Sequence, residues 1–105
     1  MKIVAVCACP TGVAHTYMAK KALENAAAKL GYNIKVEAQG ALGIENEITI
    51  QEVKDADIVI LAIEVAIAKR DRFVGKPTVN IPIQMAVRNA DSILMQLAEK
   101  LSKLD

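Results

Sequence analysis

Residues 7–16 read "CACPTGVAHT" and set two thiols, Cys7 and Cys9, between an apolar run and a helical pattern. A thiolate is a nucleophile, and its reactivity follows the charge around it. Cys9 opens the loop Cys9-Pro10-Thr11-Gly12-Val13, which feeds the helix. The first turn of a helix has unpaired N–H groups and a partial positive charge. A short loop running into that turn can curl its amides into an anion-binding nest. Pro10 fixes one φ angle and gives up one donor, while Gly12 permits a backbone conformation that a β-carbon resists. Thr11 and Thr16 add hydroxyl donors. A cysteine at the rim of such a nest is expected to react readily, because helix N-termini favour the thiolate. The same nest would cradle a phosphoryl group on that sulfur, a transfer that needs positioning and charge stabilisation above all. Cys9, at the loop, is the candidate nucleophile. Cys7 is expected to stay in the strand as core, a common fate of cysteine. The local pattern leaves plain packing open as the alternative role of Cys9.

Three rival chemistries fit less well. A low-molecular-weight tyrosine phosphatase needs Cys-x5-Arg, but His15 stands six residues after Cys9 and Val13 six after Cys7. The arginine that would clamp the transition state is missing. A thioredoxin-like centre needs Cys-x-x-Cys, and the spacing here is Cys-x-Cys. A metal site from Cys7, Cys9 and His15 would lack a fourth ligand, so no metal is expected. Lys20 and Lys21 read as a solvated face. The run "KRDR" at 69–72 reads as a charged turn, from which Arg70 or Arg72 could meet a phosphate.

The elements that must hold this loop follow from hydrophobic period. Residues 2–8 are apolar almost throughout and suit a central strand covered on both faces. Over 13–30, Ala14, Met18, Ala22, Ala26 and Leu30 fall in line, giving an amphipathic helix with Gly31 as its C-cap. "NIKVEAQ" at 33–39 alternates strictly, so one face should meet solvent and the strand should lie at a sheet edge. "GALGIENE" reads as loop. Thr49 and Glu52 form a capping box for a short helix near 50–56. "DIVILAI" at 57–63 is a second central strand, 64–76 an unassigned charged connection, and "PTVNI" at 77–81 a short edge strand. Ala90, Leu94, Leu97, Leu101 and Leu104 align on a helix over 84–104. The expected fold is α/β: a four-stranded parallel sheet of order 2-1-3-4 with helices on both faces, Rossmann-like. Its switch point lies at the carboxyl ends of the first and third of those strands, where the cysteine loop sits.

Bulk properties set the remaining bounds. The 105 residues suit one domain, and 53% of them are hydrophobic, which excludes disorder. The net charge of +1 and only three aromatic residues give no support to nucleic-acid binding. No apolar run approaches the ~18 residues that span a bilayer. No signal-peptide pattern appears at the N-terminus, so a cytoplasmic protein is expected.

"VAVCACPTGVAHTYMAKKALENAAAKLG" closely resembles the start of the fructose-type enzyme IIB domain of the bacterial phosphoenolpyruvate-dependent sugar phosphotransferase system (PTS). The likeness continues through "IKVEAQGALGIENEIT", "ADIVILA" and "RFVGKP", nearly the whole chain. It implies that Cys9 accepts a phosphoryl group from a phosphohistidine of the IIA protein. The group then passes to a sugar, usually fructose, held by the membrane protein IIC. It implies no cofactor. Phosphate binding falls to the segment Pro10, Thr11, Gly12, Val13, Ala14, His15 and Thr16, with amide donors from Thr11 to Ala14. His15 becomes a candidate for orienting the loop, and Gln39 and Gly40 for shaping its wall. A non-catalytic module that binds a free anion in the same loop is the alternative. Departures from the family pattern are Cys7 for threonine, Ala38 in "EAQG" for threonine, and the pair Lys20-Lys21. The chain carries no IIC segment after its last helix, which is expected of a free-standing subunit or a domain cut from a longer polypeptide.

Overall fold

The computed structural model, which describes residues 1–10, 13–40 and 43–103, builds its sheet outward from the two apolar runs. They form adjacent parallel strands, β1 (Lys2–Ala8) and, later in the chain, β4 (Ile58–Ile63). Between them come α1 (Val13–Leu30), β2 (Asn33–Gly40), β3 (Gly43–Glu45) and α2 (Ile50–Asp55). A 3₁₀ turn (Arg70–Phe73), β5 (Thr78–Ile81) and α3 (Ile83–Lys103) follow β4. Each central strand is covered on both faces. Ile3, Ala5 and Cys7 pack under α1 and α3, while Val4 and Val6 pack against Val53 of α2 and Phe73 of the 3₁₀ turn.

The sheet order among the described residues is β3-β2-β1-β4-β5. The four parallel strands keep the expected 2-1-3-4 sequence, but the sheet is mixed and five-stranded. β3 runs antiparallel to β2, pairing Gly43 with Gly40 and Glu45 with Ala38. Three residues are too few to show a period, so "GALGIENE" reads as loop in the sequence. Gly43 enters the strand at φ +108°, where a side chain would be strained. β2 is therefore an edge only along its first half.

Its polar face also differs from expectation. Glu37 is fully buried and Lys35 half-buried, because α2 and the 3₁₀ turn lie over them. The charged connection at 64–76, unassigned from sequence, thus supplies part of a layer.

α1 buries Thr16, Ala19, Leu23, Ala26 and Ala27, leaving Ala14 and Met18 of the expected stripe exposed. A row of residues four apart turns about 40° per step around an α-helix. Over sixteen residues such a row leaves the core, and an alanine-rich sequence offers little contrast to correct it. Gly31 ends the helix at φ +76°, as its C-cap position requires. α3 buries Ala90, Leu94 and Leu97 as expected, and also Ile83, Ala86 and Ile93. Each fully buried leucine contributes roughly 1.5–3 kcal/mol relative to exposure. Leu101 is half-buried, and Leu104 lies outside the described residues. α2 carries the expected capping box: Glu52 N–H donates to Thr49 Oγ1 at 3.1 Å, and Thr49 N–H to the Glu52 carboxylate at 2.8 Å.

Candidate active site

β1 delivers Cys9 to the carboxyl edge of the sheet, one residue past its last paired position. From β1 the chain crosses to β2 on one side, while β4 leads to β5 on the other. Cys9 therefore sits at the switch point between β1 and β4, where open α/β sheets form a crevice. It is half-buried and lines a cleft of about 210 Å³ with Pro10, His15, Glu64, Ile83 and Gln84. Three elements meet there: the β1–α1 connection, the end of β4, and the first turn of α3. Glu64 fixes this junction twice. Its N–H donates to Ala8 O at 3.0 Å, and its Oε1 accepts from Ile83 N–H at 3.1 Å.

The expected site residues divide between two hollows. Cys9, Pro10 and His15 share the cleft, with His15 and Pro10 exposed. Ala14 is exposed on the first turn of α1. Thr16 is buried and lines a different hollow with Tyr17, Gln39, Gly40 and Glu45. The Tyr17 hydroxyl donates to the Glu45 carboxylate there, joining α1 to β3. That hydrogen bond holds the Tyr17 pKa above its ordinary value. Thr11, Gly12 and the Val13 side chain lie outside the described residues.

The two cysteines differ sharply. Cys7 has no exposed surface, and burial pushes its thiol up to about 12, with Glu24 adding to the rise and Lys20 opposing it. Cys9 alone reaches a cleft, and neither forms a disulfide.

On the other face of the sheet, a buried polar network braces the same end. Arg72 donates through Nη1 to Glu37 Oε1 at 2.7 Å and through Nη2 to Glu37 Oε2 at 2.5 Å. Nη1 also reaches Ile48 O at 2.8 Å, and Ile48 N–H donates to Glu37 Oε1 at 2.8 Å. Gln39 Nε2 donates to Glu37 Oε2 at 2.8 Å and to Ala68 O at 3.1 Å, while Gln39 Oε1 accepts from Ala68 N–H at 2.9 Å. Burial alone would raise the Glu37 pKa, but the bonds from Arg72, Gln39 and Ile48 outweigh it and hold the carboxyl below its usual range. Arg72 is thus committed to Glu37 and is no phosphate ligand; Arg70 is exposed.

A model of the family described as "PTS system, Lactose/Cellobiose specific IIB subunit" matches residues 4–96. The chain belongs to the PTS IIB family. It is 49% identical over 102 residues to the PTS system fructose-like EIIB component 2 of Escherichia coli K12, covering 97% of this chain and 96% of that one. It is 42% identical over 101 residues to fructose-like EIIB component 1 of the same strain, covering 96% and 94%. The solution structure of an enzyme IIB subunit of the PTS from Escherichia coli K12 superposes with TM-score 0.92 at 41% identity, covering 97% and 94%. A crystallised domain of the fructose-specific IIABC component from Borrelia burgdorferi superposes with TM-score 0.85 at 49% identity, covering 90% of each chain. Among the described residues of this IIB chain, no helix is long and apolar enough to cross a membrane.

Sequence reasoning missed Glu64 and the Glu37–Arg72 pair. Glu64 has no local signal beyond following an apolar strand directly. Glu37 sits in a strictly alternating strand, which reads as half-solvated. The usable hint was its distant counterpart, an arginine next to Phe73 in a chain with one phenylalanine.

Proposed function

We propose that this IIB protein carries a phosphoryl group on Cys9, between a phosphohistidine of a IIA protein and a sugar held by a membrane IIC protein. The observation that carries this reading is the place of Cys9: the thiol that opens into a cleft, at the switch point of the sheet and ahead of α1. In the first step sulfur attacks phosphorus, the donor N–P bond breaks and an S–P bond forms. The thiol proton goes to the imidazole nitrogen that departs. In the second step a sugar hydroxyl attacks phosphorus, the S–P bond breaks, and the hydroxyl proton returns to sulfur. The amides from Thr11 to Ala14 hold the phosphoryl oxygens, and the positive end of α1 stabilises their charge. His15 stands at the mouth of the cleft and the Thr11 hydroxyl adds a donor, while Thr16, buried and lining the other hollow, takes no part in this reading. The fructose-like names of its relatives favour fructose or a similar sugar, with the reaction taking place in the cytoplasm. No cofactor takes part.

Intact-mass analysis tests the reading. The chain is incubated with phosphoenolpyruvate, the general PTS proteins and a fructose-type IIA protein. One acid-labile phosphate is expected on the parent and on Cys7→Ser, and none on Cys9→Ser. Phosphate retained by Cys9→Ser and lost by Cys7→Ser refutes the assignment.

A further inference from the structure

Glu64 is an unexpected neighbour for a sulfur that is to carry phosphate. It lines the same cleft as Cys9. Its backbone N–H is tied to the carbonyl of Ala8, the residue before the nucleophile, and its carboxylate to the first N–H of α3. Glu64 is exposed, and its carboxylate is anchored at the start of α3 by this one bond. The other titratable side chain lining this cleft besides Cys9 is His15, from α1; Gln84, from α3, is neutral.

Two helix amino ends converge on the cleft, those of α1 and α3. An unmodified second amino end would offer further N–H donors to an anion. Glu64 occupies the α3 end with a negative charge of its own. A phosphoryl group on Cys9 brings nearly two more negative charges at neutral pH. Like charges across a cleft of this size repel appreciably even in a partly solvated site.

Resting on the carrier reading above, we propose that Glu64 sets the phosphoryl-transfer potential of Cys9. Its fixed carboxylate destabilises the phosphorylated state relative to the thiol. α1 provides enough attraction to accept the group, and Glu64 keeps it from being held too tightly to give away. The step itself is unchanged: the N–P bond breaks, the S–P bond forms, and the thiol proton moves to the donor imidazole. Only the position of equilibrium moves. Glu64 is a charge-tuning residue, not a catalytic one.

The test measures the equilibrium ratio of phospho-Cys9 to phosphorylated IIA, with enzyme I and phosphoenolpyruvate removed after loading a fructose-type IIA protein. Glu64→Gln keeps an oxygen acceptor for Ile83 N–H and removes the charge. It is expected to move the ratio toward phospho-Cys9 by about tenfold. Glu64→Asp, which keeps the charge, is expected to stay near the parent. Gln84→Glu adds a charge at an exposed position of the cleft, where an acid in the first turn of α3 also suits the helix. It is expected to move the ratio the other way. A Glu64→Gln ratio within twofold of the parent overturns the inference. If that variant does not fold, an unchanged Gln84→Glu ratio overturns it equally. A parent chain that takes no phosphate on Cys9 refutes the carrier reading instead.

Discussion

Replacing Arg72 by methionine would remove the cation from the buried pair and leave Glu37 without its strongest partner. The Glu37 side chain has no exposed surface and that of Arg72 is 5% exposed, so water cannot take the arginine's place. Breaking a buried pair from one side costs about 3–5 kcal/mol, because an uncompensated charge remains inside. A chain of this length has roughly 5–15 kcal/mol of total stability. The corresponding fall in Tm is roughly 15–25 °C. The pH dependence is more diagnostic than the size. In the parent the folded-state pKa of Glu37 lies below its unfolded value of ~4.3. Its contribution is therefore complete above about pH 4.3 and lost as pH falls through the folded value. In Arg72→Met, burial dominates and the folded pKa rises above ~4.3. Stability then falls as pH rises from about 4 towards 7, the opposite slope. The double variant Glu37→Gln/Arg72→Met keeps an acceptor for Ile48 N–H, carries no buried charge, and should recover most of the loss. Urea unfolding followed by circular dichroism at pH 4.5 and pH 7 measures all of this. An Arg72→Met midpoint that increases over that range, or a loss below ~1 kcal/mol at pH 7, refutes the reasoning.

Two further outcomes follow from the geometry. In the native protein at pH 7, iodoacetamide should label Cys9 and spare Cys7, whose thiol is buried and shifted to about 12; both should label in urea, as peptide mass mapping would show. Thr49→Ala removes the side-chain acceptor of the α2 capping box and should cost about 1 kcal/mol in a urea titration, with the cysteine labelling pattern unchanged.

What was legible in the sequence was whatever a repeating period or a local signal could express. The two continuous apolar runs marked β1 and β4 as central, and the alternation of β2 put it at the sheet edge, which holds only along its first half. Thr49 and Glu52 announced α2 through a spacing with one geometric meaning. The place of Cys9, at the end of β1 and ahead of α1, was legible because strand, loop and helix follow one another without interruption. The features that escaped share a different cause. β3 is too short to have a period. Glu37 and Arg72 are 35 residues apart, and each is polar in a segment where polarity signals solvent. Only folding brings α2 and the 3₁₀ turn over that face and turns the two charges into each other's solvent. Glu64 belongs to the same class, since its partners come from β1 and α3.

These hidden contacts fasten the end of β1, the strand that delivers Cys9 to the cleft. β1 lies between β2 and β4, so a bond from the end of β2 to the segment after β4 must cross the carboxyl end of β1. Gln39 makes that crossing, pairing with both N–H and C=O of Ala68 as a strand neighbour would. Glu37 holds Gln39 from below, and Arg72 holds Glu37, so the strap rests on a buried charge pair. On the opposite face, Glu64 ties Ala8 to the start of α3. The end of β1 is thus fastened on both faces within one residue of Cys9. Cys9 itself is half-buried and faces the cleft. The carrier role proposed above would use this division, with rigid backing behind Cys9 and an exposed front that neither of two successive partners would have to unfold.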